Sequence, residues 1–550
     1  MSLTGLIDLL AGDAGFAEAR DRAWAAGGPA HTDERVAVLA PEGALVPLAA
    51  AIAERRPTVI VTATGRAAET AADGLAAYLG PELVATLPSW ETLPHERMSP
   101  RSDTLAHRIA VFRRLAHPES DGPHGPIRAL TVPVRSLIQP VVAGLGEIAP
   151  IRLAPGDRVD LEELAQRLVE FAYTRTDMVE RRGEFAVRGG IVDVFPPTEH
   201  HPLRVDLFGD EVDEIRYFSV ADQRSDEEAA SGLWAPPCRE LLLTDRVRER
   251  AAQLAETMPG ERELMDKLAQ GIAVEGMEAF TPVLADRLCP LTDLLPAGAV
   301  LLLADPEKLR RRAQDLRSTA QEFLEAAWSG AAHGGAAPVD LGAGSYMPLP
   351  QVRAAALARG HVWWTAGAFG VTPASGEDGT PEGGPDPAPA EASTTDPGTD
   401  PAGPAHGEAP ASAAQTDPDE PGPDVSVIEL GMRAGELFGG DVRAAIGHIR
   451  DRAQSGWRVI VLTEGNGPAK RLAEQLGERD IPARLDSDVR EAAQVTPGVV
   501  HVTVGPGHGL VAEALKLQIL TQAELTGRSG ASTKDMRRMP RKRKNAVDPL

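Results

Sequence analysis

Between Thr372 and Asp424 this chain contains no Val, Ile, Leu, Phe, Trp or Tyr. Pro, Gly, Ala and acidic residues fill the stretch instead, as in PASGEDGTPEGGPDPAPAEASTTDPGTDPAGPAHGEAP. Nothing in it can offset the entropy of ordering a backbone, so residues 372–424 are expected to be a disordered acidic linker. Whatever folds must fold on either side of it. The chain has 550 residues, enough for roughly three to five units of about 100–200 residues each. Hydrophobic residues make up 43% of it but aromatics only 4%, so Leu, Val and Ala must fill the cores.

The charge balance is acidic, 56 Lys and Arg against 80 Asp and Glu, a net -24. That argues against a whole-chain grip on nucleic acid and leaves room only for local contact. The one dense basic run, Arg537 to Lys544, could touch phosphates, but its plainer reading is a solvated interdomain segment. Two cysteines, Cys238 and Cys289, exclude a disulfide scaffold and a Cys-rich zinc or iron–sulfur site. The start, MSLTGLIDLLAGDAGF, does not read as a signal peptide. No apolar run reaches the ~18 residues of a membrane span. The expectation is a cytoplasmic protein with no membrane contact. The most apolar stretch, Gly43 to Ala53, reads as a buried helix.

Ahead of the linker, strand-like and helix-like patterns alternate. Val36–Ala40, Thr58–Thr64, the run LVATLP and Ala129–Val134 read as strands, and Arg66 to Leu79 as an Ala-rich helix. Such alternation predicts a parallel α/β sheet over residues 1–150. From 151 to 232 the pattern changes. Leu161, Leu164, Leu168 and Phe171 have helical spacing, and EFAVRGGIVDVFPP and LRVDLFGDEVDEIRYF then read as an antiparallel meander. Gly189–Gly190 and Pro196–Pro197 punctuate it. This is an α+β domain inserted in the α/β body, which resumes over 233–371 with the strand Ala299–Pro306 and closes at Gly360–Phe369. Beyond the linker, Trp457–Glu464 and Gly498–Val504 predict a second small α/β domain at 425–527, followed by a basic linker at 528–550.

A phosphate-binding loop requires G-x-x-x-x-G-K-[ST], whose amides cradle phosphate while the Lys neutralises it. After the first strand this chain has APEGALVPLAAAI: Gly43 is there, no Lys or Ser/Thr follows, and Pro47 sits near the place of the Lys. The GPGHG run, Gly505–Gly509, also lacks a Lys. No H-E-x-x-H or G-x-S-x-G pattern occurs, and His200–His201 reads as a solvated turn. The run Asp210–Ile215 reads as a half-exposed strand or turn. No catalytic, cofactor-binding or metal-ligating residue is predicted.

Arg204, Asp206 and Phe208 stand at i, i+2 and i+4, which puts them on one face of a strand and turns Leu203, Val205 and Leu207 toward a core. Such a face is either a salt-bridged surface or a protein-binding hot spot, and the residues alone leave both open. Arg188 precedes Gly189 at a bend, where its fork could pair with a partner's carboxylate.

LPSWETLPHERMSPRSDTLAHRIAVFRRL (Leu87–Leu115) resembles the W-E-x-L-P…S-P…D…R-x-x-x-L block of the bacterial transcription-repair coupling factors. Gly183–Ser225 resembles the interaction domain they share with the excinuclease component UvrB. That resemblance implies a degenerate helicase-like parallel-sheet domain, stripped of its phosphate loop, carrying an inserted α+β domain that recruits the excinuclease component UvrA. By the same resemblance the UvrA-binding residues are Arg188, Arg204 and Phe208, on a face masked in the resting family protein. It implies that the basic end leads into an RNA-polymerase-interacting domain, and that the translocase motor, with its ATP, Mg and double-stranded DNA, lies later still. The alternatives are a diverged UvrB or helicase-type ATPase, and a scaffold whose basic tail binds nucleic acid.

Overall fold

Seven parallel strands form the central sheet, in the order Ser426–Glu429, Val36–Leu39, Val362–Gly367, Val300–Ala304, Thr58–Thr62, Ala129–Pro133 and Val84–Thr86. The computed structural model describes residues 2–26, 35–93, 96–119, 126–332, 346–368 and 425–527. The linker expected at 372–424 and the basic segment at 528–550 lie outside the described residues.

The middle strands are apolar along their length because helices cover both faces of the sheet. Alternate residues of each strand enter opposite cores. Ile60, Leu302 and Trp364 pack with Leu48, Ile52, Leu75 and Tyr78 on one side. Val59, Val61, Leu301, Leu303 and Trp363 pack with Phe112 and Leu137 on the other. The predicted buried helix is Glu42–Ala53. Only Ala40 and Pro41 separate it from the preceding strand.

The strand that opens the segment after the linker, Ser426–Glu429, lies parallel to Val36–Leu39 as the edge of this first sheet. Composition alone groups it with the following unit; its Ile428 is buried with Phe16 and Val38 of the first body. The rest of 425–527 has its own six-stranded sheet, centred on Arg458–Thr463 between Leu517–Thr521 and Val500–Val504. One face packs Val459, Val461, Val500 and Val502 with residues of the helices Val442–Gln454 and Asn466–Gly477. The other face, through Ile460, Leu462, Leu510 and Ile519, shares a core with Leu3, Leu6 and Leu10. The N-terminal helix Thr4–Leu10 is thus wedged between the two sheets. The Leu3 amide donates to the Ala77 carbonyl and the Gly5 amide to that of Val489.

The inserted domain leaves and rejoins this body through a two-stranded neck, Ile151–Leu153 antiparallel to Leu233–Ala235. Just past the neck, buried Glu240 accepts from Nε of fully buried Arg108 and, at 3.4 Å, from Nε1 of Trp90. Trp90 and Arg108 belong to the Leu87–Leu115 block, so part of that block holds the neck. Between the neck strands lie the helix Leu161–Glu170 and a six-stranded sheet in the order Ser225–Glu228, Glu211–Phe218, Leu203–Phe208, Ile191–Val194, Glu184–Arg188, Thr174–Arg175. Asp160 caps the helix by accepting from the amides of Glu162 and Glu163. Leu164 and Leu168 of the helix pack on Phe185, Val192, Val205 and Ile215 of the sheet. All pairings are antiparallel except Thr174–Arg175 with Glu184–Arg188. The acidic run at 210–215 is largely strand. The helices Asp245–Thr257 and Arg262–Ala269, with their own cluster around Val247, Met265 and Phe280, add a helical segment that the strand-and-helix alternation does not announce. Among the described residues no helix is long and apolar enough to cross a membrane.

Candidate partner-binding face

The inserted sheet has one face on the helix Leu161–Glu170 and one face turned away from it. Strand alternation sorts the residues. In Ile191–Val194, Val192 and Val194 enter the core, so Asp193 points to the outer face. In Leu203–Phe208, Leu203 and Val205 enter the core, so Arg204 and Asp206 point outward with it.

Strand register brings the charges together. Arg204 lies directly opposite Asp193 on one side and Arg216 on the other. Its guanidinium meets the carboxylate with both arms, Nε to Oδ1 at 2.7 Å and Nη2 to Oδ2 at 2.9 Å. Nη1 donates to the Gln223 carbonyl at 3.2 Å, and the fork stacks over Phe218 with its centre 4.7 Å from the ring centroid. Beneath lies a small apolar cluster of Val179, Ala186, Phe195 and Phe218. Arg188 reaches the same Asp193 with Nη2 3.7 Å from Oδ2. Arg216 is ion-paired with Glu214.

Two of these groups titrate away from their ordinary values. The hydrogen bonds that Arg204 donates to Asp193 raise its guanidinium further. Partial burial, and then the charge of Glu214 opposite it, raise the Asp206 carboxyl. Two carboxylates, Asp206 and Glu214, therefore lie opposite one another on the sheet beside the two arginines that share Asp193.

Phe208 ends its strand, opposite Glu211, after a register shift between Asp206 and Leu207. Gly209 follows with φ 68°, a left-handed turn suited to glycine. The Phe208 ring is 84% exposed. At about 3.3 Å per residue it lies roughly 13 Å along the strand from Arg204.

Of the three residues singled out in the sequence, Phe208 is fully presented, and Arg188 is half-exposed with a 48% accessible side chain. Arg204 differs: its side chain is 17% accessible because Asp193 and Phe218 cover it. Arg188 and Arg204 converge on one carboxylate, and Phe208 stands apart at the strand's end. Asp193 and Phe218 escape a reading of the sequence. The alternation in IVDV places Asp193 on this face, but only cross-strand register sets it against Arg204. Among the described residues no group of three or more His, Cys, Asp and Glu side chains could hold a metal ion.

Residues 151–236 match the family model of the UvrB interaction domain. Those bounds coincide with the structural neck, Ile151–Leu153 and Leu233–Ala235. Beyond this domain, the chain is 41% identical over 568 aligned positions to the transcription-repair-coupling factors of Mycobacterium bovis and Mycobacterium tuberculosis, an alignment covering 100% of this chain and 41% of theirs. The chain is thus similar along its whole length to the transcription-repair coupling factors. The coupling factor of Myxococcus xanthus is 33% identical over 282 positions, 48% of this chain and 23% of that protein. The chain therefore spans less than half the length of the coupling factors it matches. The outer face described above lies within the UvrB interaction domain.

Proposed function

We propose that this chain is the repair-recruiting portion of a coupling factor, and that it docks the excinuclease component UvrA on the outer face of residues 151–236. The observation that carries this reading is the match of that span to the UvrB interaction domain, together with an outer face that presents Phe208 to solvent on the same sheet as an arginine pair. An exposed aromatic accompanied by ordered arginines has the composition of a binding hot spot. We assign RNA polymerase, double-stranded DNA, and ATP with Mg in a translocase motor to the remaining length of such a factor.

The contrary reading, a nucleotide-hydrolysing relative of UvrB, is disfavoured by the helix Glu42–Ala53. It follows its strand after two residues and carries neither Lys nor Ser/Thr in its first turns. The test is a titration of the chain with UvrA. Arg188→Ala, Arg204→Ala and Phe208→Ala should each weaken binding by about 1–3 kcal/mol. Unchanged affinity in all three removes the assignment, and DNA-stimulated ATP turnover by the chain revives the enzyme reading.

A further inference from the structure

Taking the outer face of residues 151–236 as the docking surface, we propose that Asp193 is its positioning residue, a buried carboxylate that sets both arginines of the face before a partner arrives. Asp193 is only 2% exposed, so it is not itself available for contact. Both of its oxygens take the fork of Arg204, at 2.7 and 2.9 Å, and Oδ2 is shared with Arg188 at 3.7 Å. Two guanidiniums on one carboxylate leave one positive charge in excess. Arg204 is closed in by Asp193, Phe218 and the Gln223 carbonyl. Arg188 is the half-exposed member through which that excess can reach a partner.

The carboxylate thus does two things. It offsets the repulsion between two like charges on one small sheet. It also fixes the arginine rotamers during folding, so that ordering entropy is not lost again on docking. The other charged groups facing the trio do not replace it. Arg216, opposite Arg204, is held by Glu214, and Asp206 adds its charge on the next outward position of the same strand. An uncharged side chain of the same shape at 193 removes the charge that the two arginines share and can keep only one of the two Arg204 bonds, while leaving the core face, Val192 and Val194, intact.

The experiment is a double-substitution cycle read as affinity of the full chain for UvrA. Asp193→Asn is expected to weaken binding roughly tenfold, the scale of re-ordering one or two long side chains on docking. Arg188→Ala should then cost much less in the Asp193→Asn background than in the wild type. Asp193→Glu, which keeps the charge, should restore part of the affinity. A folded Asp193→Asn chain that binds like the wild type overturns the proposal, as does an Arg188→Ala effect of equal size in both backgrounds. Should Asp193→Asn fail to fold, Arg204→Lys puts the same question. It keeps a cation on Asp193 but loses the fork, and it should weaken binding and shrink the Arg188→Ala effect; unchanged affinity overturns the proposal. If Phe208→Ala and Arg188→Ala also leave binding untouched, the docking face itself is wrong, and the role of Asp193 falls with it.

Discussion

The backbone carbonyl of Gly509 occupies the place where a side chain on Gly43 would go: a Cβ built on Gly43 lies 2.6 Å from that oxygen and 2.7 Å from the carbonyl oxygen of His508. The start of the helix Glu42–Ala53 therefore meets the GPGHG run through bare backbone, with His508 Nε2 3.4 Å from Glu42 Oε1 alongside. Neither backbone can give way as a flexible side chain would. Gly43→Ala should destabilise the chain by about 1–3 kcal/mol, the usual cost of forcing an extra carbon into a packed contact. Denaturant melts of the purified variant check this, and a melt matching the wild type would separate the helix start from the 505–509 loop.

A second prediction concerns the linker. The strands on either side of it belong to one sheet: Val362–Gly367 and Ser426–Glu429 both flank Val36–Leu39. Asp13 accepts from the amides of both Phe16 and Gly431, stapling the N-terminal helices to the chain beyond the linker. Residues 1–370 and 425–550 produced as separate chains should therefore associate without any peptide connection. Co-purification through a tag on one chain tests this. Leu6→Asp, placed at a fully buried position of the shared core, should abolish the association. Two fragments that migrate independently with wild-type sequence would contradict the packing.

Much of this arrangement is legible in residue order because local rules and burial agree. The parallel sheet follows from apolar strands separated by helical patterns, and the inserted domain from the shift to short alternating strands. Arg204, Asp206 and Phe208 can be placed on one face by period alone. What period cannot give is register. That Arg204 faces Asp193, eleven positions earlier, depends on how two strands align across the hairpin, and a slip of one residue would pair it elsewhere. Hence the residues alone leave Arg204 open between a salt-bridged surface and a contact face, and the fold encloses it against Asp193. The same limit applies to Ser426–Glu429, since no local feature of SVIE tells which of two sheets it will extend.

Asp206 yields a prediction with a definite sign. Burial and the nearby charge of Glu214 raise its carboxyl above the unfolded-state value, so the folded chain holds that proton more tightly than the unfolded chain does. Its favourable contribution is complete below the unfolded-state pKa and is lost as pH rises through the folded-state one. At neutral pH the ionised Asp206 is therefore a burden. Asp206→Asn should raise the melting temperature at neutral pH, and the gain should shrink at an acid pH below the unfolded-state carboxylate value, where the wild-type side chain is protonated in both states. Paired thermal melts at the two pH values decide it. A gain of the same size at both would mean that charge is not its source.

Phe218 and Phe208 should separate binding from stability. Phe218 is 1% exposed beneath the Arg204 fork, in the cluster with Val179, Ala186 and Phe195. Truncating it leaves a cavity and removes the support of an ordered arginine. Phe218→Ala should therefore lower stability by about 3–5 kcal/mol, and binding only as a consequence. Phe208 is 84% exposed at a turn and has little packing to lose. Phe208→Ala should change stability by less than about 0.5 kcal/mol, as surface substitutions do. Its binding to UvrA should nonetheless fall by about 1–3 kcal/mol, because an aromatic ring left in water on the free chain gains its burial only when the partner covers it. Calorimetric titration alongside a thermal melt measures both quantities on the same sample. A Phe208→Ala chain that melts early would show that the ring packs against its own domain, and one that binds normally would move the contact to another part of the face.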